Sequence, residues 1–202
     1  LDPRHEPSIA ALLRIAQLED YRERAVEIVE PLLRDQARWD DLAAVLALRA
    51  ETAGDPLDKR DRLRALAEVH ERGRNDKAKA FEVLGLAFAE DASDESLVEE
   101  LERLATELGS FAELADALAS RASTVPDPEV ARSLYVRLAR IAEQRLGDDV
   151  RAIEAYSRAL EQVGDDPELL LALDRLHQKT EGWSELAGVL ERRVDQASDP
   201  AE

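Results

Sequence analysis

The sequence predicts an all-α chain built from repeated helical hairpins, and three observations point there. Of the 202 residues, 45% are hydrophobic but only 4% are aromatic. The apolar surface is therefore mainly Ala, Leu and Val, and the strong helix formers Ala, Leu, Glu and Arg dominate. Apolar residues recur with i, i+3, i+4, i+7 spacing between breaker signals set about 15–20 residues apart. Finally, one segment occurs three times. Trp39, Leu42, Ala43, Leu46 and Arg49 return as Phe111, Leu114, Ala115, Leu118 and Arg121, and again as Trp183, Leu186, Ala187, Leu190 and Arg193, each time 72 residues on. Residues 39–110 and 111–182 agree at 22 of 72 positions, where this composition gives roughly a tenth by chance.

The elements follow in order. A second-type helix is expected at about 7–17. First-type helices follow at about 21–37, 57–73, 94–108, 128–146 and 167–181, alternating with second-type helices that open at Trp39, Asp76, Phe111, Asp148 and Trp183. The total is about 11 helices, two helix–turn–helix units of about 36 residues per 72-residue double repeat. Leu42, Val45 and Leu46 form one stripe, ended by the Gly54-Asp55-Pro56 turn; Leu63, Leu66 and Val69 form the next, ended near Gly73. Ala80, Leu84, Ala87 and Phe88, then Leu97, Leu101, Leu104 and Leu108, complete the unit before Gly109. Asp76, Asp94, Asp127, Asp148 and Asp166 stand where a side chain accepts orphan N–H groups and complements the helix dipole. Pro31 lies inside the helix at about 21–37, so a bend or split is expected near residues 27–31.

Residues 1–202 thus read as a single array, with double-repeat units at 39–110 and 111–182 and partial units at 1–38 and 183–202. The sequence holds no Met and no Cys. With an array that opens and closes within a repeat and no evident polar cap, an excised piece of a longer protein is expected, with further repeats or domains at both ends. Without Cys there are no disulfides, thiol nucleophiles or Cys-ligated zinc. The net charge of −18 repels phosphate backbones and anionic lipid, and no basic patch offsets it. Nucleic-acid binding is not expected. No apolar run approaches the ~18–20 residues of a membrane span, and the start at Leu1 has no leader pattern. Composition leaves the compartment open, with the cytoplasm favoured. Only four of the 27 basic residues are Lys, a bias that fits a GC-rich bacterial genome.

The segment from Gly147 to Leu160, followed by Pro167, resembles the second helix of a tetratricopeptide repeat. Ala152 stands where the two helices touch, Tyr156 is the aromatic one turn on, Ala159-Leu160 precedes the exit, and Ala80 matches Ala152 one unit earlier. The chain departs from the family pattern in a longer loop before Pro167, in Leu138-Ala139 or Leu173-Asp174 for the Leu-Gly pair, and in the aromatic start of alternate repeats. The resemblance implies a right-handed α-α superhelix, a tetratricopeptide-like solenoid whose first helices line a concave groove.

On that phase Leu66, Leu101, Leu138 and Leu173 are equivalent buried positions. The residues two before and two after face the groove by helical geometry: Arg64 and Glu68, Glu99 and Arg103, Val136 and Arg140, Leu171 and Arg175. Their arginines either take partner carboxylates bidentately or pair with Glu on neighbouring helices. The Lys/Asn carboxylate clamp of some tetratricopeptide domains is not matched. Trp39, Phe111 and Trp183 read as packing wedges between repeats, with a ligand-stacking ladder as the alternative.

No catalytic constellation assembles. His5, His70 and His177 form no i, i+4 pair, and no phosphate loop or nucleophile elbow is present. The acidic run Glu90–Glu102 places oxygens like a calcium loop but has Ser96 where that loop needs Gly, so a turn plus helix cap is expected there. Asp148-Asp149 and Asp165-Asp166 stand at repeat-equivalent turns and read as caps. The expected function is a non-enzymatic scaffold, without cofactor or metal, that presents a groove to a protein or peptide. The alternatives are an architectural spacer or self-assembling array in a large protein, and regulation of a domain elsewhere in it.

Overall fold

The computed structural model describes residues 5–198, with side chains to residue 194. Among the described residues there are eleven α-helices and no strand. They fall into two compact units divided between Gly109 and Ser110.

The first unit holds α1 (Glu6–Ile15), α2 (Glu19–Asp35), α3 (Trp39–Glu51), α4 (Pro56–Glu68), α5 (Lys77–Glu90) and α6 (Glu95–Leu108). Each helix packs on its chain neighbour. Val26, Leu42, Leu66, Leu84 and Leu101 are buried between them, each contributing about 2 kcal/mol by leaving water. The second unit holds α7 (Phe111–Ala122), α8 (Pro128–Ile141), α9 (Asp149–Val163), α10 (Pro167–Lys179) and α11 (Trp183–Ser198), again packed pairwise. Leu114, Leu118, Leu138, Leu160, Leu170 and Leu176 form its core.

Helix entries follow the expected chemistry. Asp76, Asp94, Asp127, Asp148 and Asp166 each accept a backbone N–H from the first turn of the helix they open. Asp55 does the same for Asp58, and Pro56, Pro128 and Pro167 follow their caps at the position where a missing N–H costs nothing.

Two features refine the sequence expectation. The helix expected at about 21–37 begins at Glu19 and continues through Pro31 without a split. Both Pro31 and Glu27, whose carbonyl loses its N–H partner, lie on the exposed face, where water replaces the missing bond. The helices expected at 57–73 and 128–146 have the expected extent, but each ends in a wider π-helical turn, Val69–Gly73 and Ala142–Leu146. There the Arg74 N–H reaches the Val69 carbonyl at 3.0 Å, and the Gly147 N–H reaches that of Ala142.

Left-handed backbone marks the repeat independently of side chains. Ala37 (φ 53°), Gly109 (φ 75°) and Glu181 (φ 58°) stand 72 residues apart just before the aromatic-led helices, and Asn75 (φ 53°) and Gly147 (φ 67°) stand 72 apart after the π turns. Gly fits this conformation without strain and Asn tolerates it, whereas Ala37 and Glu181 adopt it against their Cβ.

Candidate interaction surface

The first-type helices meet one another and the second-type helix between them through ion pairs that recur at the 72-residue offset. Glu71 holds Arg103 at 2.7 Å in the first unit, and Glu143 holds Arg175 at 2.7 Å in the second. Arg60 lies 3.7 Å from Asp94, and its equivalent Arg132 bonds Asp166. In both places one carboxylate oxygen caps the helix while the other meets the arginine. Lys77 pairs with Glu107 at 2.7 Å; the equivalent pair is Asp149 with Lys179, also at 2.7 Å, with the charges exchanged. Arg64 bonds Glu100, and the equivalent positions hold Val136 and Ala172. These four contacts keep, exchange or remove both partners together.

Open clefts lie beside these pairs. In the first unit a cleft of about 710 Å³ is lined by Arg64, Glu68, Glu71, Glu100 and Arg103 among others. In the second unit a cleft of about 350 Å³ is lined by Arg132, Val136, Arg137, Arg140, Asp166 and Glu168 among others. Burial, together with the charge of Arg140, pushes the Arg137 guanidinium below its ordinary value, so cleft two sets two positive charges close together. Arg140 is exposed and donates to the Tyr156 side chain, whose phenol is pushed up by burial and by Glu143.

Five of the eight groove candidates therefore line these two clefts: Arg64, Glu68 and Arg103 in one, Val136 and Arg140 in the other. Glu99, Leu171 and Arg175 are exposed but on neither wall, and Arg175 is held by Glu143. Sequence reasoning missed Glu71, Glu100, Arg132 and Arg137. Glu71 and Arg132 were present as identities with Glu143 and Arg60, and Glu100 as a co-substitution with Arg64, which identity counting does not register.

The aromatic positions have a specific environment. The Trp39 ring lies against Gly73, so closely that a Cβ there would sit 2.7 Å from the ring. At the equivalent pair the Arg145 guanidinium lies over the Phe111 ring, 5.2 Å from its centroid, a cation–π arrangement. The π turn brings residue 73 or 145 to the ring, and a bulkier ring meets the smaller residue. Trp183 is 63% exposed. Ala80, Ala152 and Tyr156 are buried at helix contacts.

The remaining candidates resolve locally. In the acidic run, the carboxylate of Asp91 accepts from Ser93 and Arg60, and that of Asp94 from Ser96 and Leu97. His5 is exposed and bonds Ser8, whereas His70 and His177 are buried. Among the described residues no cluster of His, Asp and Glu has metal-binding geometry, and no helix is long and apolar enough to cross a membrane.

No family model matches the chain, and no curated protein matches its sequence. Among solved structures, one described as "MamA MSR-1 C2" aligns over 89% of this chain and 99% of its own, at 13% identity and a TM-score of 0.42.

Proposed function

We propose that the chain is a tetratricopeptide-like protein-interaction scaffold in which cleft two takes an acidic segment of a protein partner. The observation that carries this reading is cleft two: in a chain of net charge −18, it sets Arg137 and Arg140 beside Arg132, which bonds Asp166, with Glu168 as the other acidic wall residue. Arginine forks suit carboxylates, and the partial burial of Arg137 strengthens that attraction. Catalysis is not part of the proposal, because no nucleophile, base and oxyanion donor converge on either cleft.

A second reading, an architectural spacer, is favoured by the pairing of Arg64, Arg103 and Arg175 with Glu on neighbouring helices. The two readings separate at Arg140, which lies outside that carboxylate ladder. In a pull-down with the protein as bait, Arg140→Glu loses a partner that wild type retains, while its circular dichroism stays helical. Arg103→Glu and Arg175→Glu lower the melting temperature through the helix ladder. Recovery of the same proteins by wild type and Arg140→Glu contradicts the cleft reading and leaves the spacer.

A further inference from the structure

We infer that the outer face of α11 is a docking surface for a helix of the α4 and α8 type, one ending in a π turn with a small residue over Trp183. This surface is separate from the arginine clefts, and its support comes from the equivalent positions along the chain. In α3, Ala43 and Leu46 are 5% and 3% exposed, and in α7 Ala115 and Leu118 are 0% and 0% exposed. Their equivalents in α11 are Ala187, which is exposed, and Leu190, which is 42% exposed, beside Trp183 at 63%.

The other side of α11 is built as in the earlier copies. Leu186 and Val189 are 8% and 7% exposed, against 0% and 2% for Leu42 and Val45. Arg193 bonds Asp174 as Arg49 meets Glu30, at positions exactly two repeats apart. The platform is therefore formed while its outer stripe faces solvent, and removing such an apolar stripe from water is favourable.

What covers the stripe elsewhere identifies the occupant. Helix α3 receives α4 and its π turn, and α7 receives α8 and its π turn. The aromatic that opens each of these helices lies against Gly73 or under Arg145. Trp183 has the indole of Trp39, so its partner carries the small residue that a Trp requires, as Gly73 does.

The test appends residues 55–91, which contain α4, its π turn and α5, after residue 198 of the full chain. This keeps the register, because Asp199-Pro200 repeats Asp55-Pro56. With Trp39→Phe, Trp183 is the only indole outside the appended segment, which contains none. The inference expects the emission of Trp183 to shift to the blue and its acrylamide quenching to fall to the level of Trp39 in a Trp183→Phe control. Gly73→Leu in the appended copy restores the quenching. Trp183 as quenchable with the added segment as without it overturns the inference, whether or not that segment becomes helical. A concentration-dependent dimer of the unextended chain that protects Trp183 assigns the face to a second copy and overturns the repeat-type occupant. Arg140→Glu leaves every one of these readings unchanged, so failure here and failure of the cleft proposal are distinguishable.

Discussion

At the scale of residues, the pairing of ring with platform carries the most information. Trp39 with Gly73 and Phe111 with Arg145 are two solutions to one packing problem. Gly73→Arg alone forces a side chain into the Trp39 ring and destabilises by about 1–3 kcal/mol, the usual cost of overpacking. Adding Trp39→Phe recovers part of that loss, and a double-mutant cycle measured by urea unfolding returns a coupling of about 0.5–3 kcal/mol. Independent, additive effects contradict the account. His70 offers a second test. Its equivalent is Ala142, and its ring is buried with Arg74 3.2 Å from Nδ1. Burial, then the charge of Arg74, pushes the imidazole below its ordinary value. The folded state thus binds the proton less well than the unfolded one. The sign follows: stability is lost as pH falls from about 6.5, the unfolded value, toward the lower folded value. His70→Ala removes that slope, which melts at pH 7 and pH 5.5 detect.

At the scale of elements, all eleven helices and the capping aspartates were legible, because periodicity and caps are local signals. The wide turns after α4 and α8 were not. Nothing in Val69–Gly73 or Ala142–Leu146 differs in composition from an ordinary last turn, and the widening serves a contact with an aromatic more than 30 residues away. That α2 continues past Pro31 without a split depends on the exposed face that Pro31 occupies, which periodicity alone does not reveal. Asp94 joins element to element by capping α6 and facing Arg60 and Arg64. Burial alone would raise its carboxyl, but bonds from Ser96 and Leu97 and the two arginines hold it below the usual range. Asn also caps well, so Asp94→Asn isolates the charge and costs about 1 kcal/mol at pH 7. That stability is present above the unfolded value of about 3.9 and fades as pH falls through the lower folded one. Wild type and Asp94→Asn therefore converge in acid; a constant difference down to pH 2.5 contradicts the assignment.

For the whole molecule, the net charge of −18 initially suggests a basic partner, but much of the acid is committed to caps and to pairs between successive first helices. The proposed acidic partner rests instead on Arg137 and Arg140 in cleft two. Five of the eight groove positions lie on the cleft walls; which arginines are held by carboxylates was hidden, because all of them share one residue type and one helix face. Only their partners, such as Glu71 for Arg103 and Tyr156 for Arg140, tell them apart. The central claim is that contacts recurring every 72 residues make the double repeat an interchangeable unit. Replacing residues 39–110 by a second copy of residues 111–182 tests it most directly, with helicity and thermal unfolding read by circular dichroism. The account predicts retained helicity and a single cooperative transition, because the exchanged pairs, the aromatic platform and the left-handed turns move together. Loss of helicity, or a broad transition without cooperativity, would contradict it.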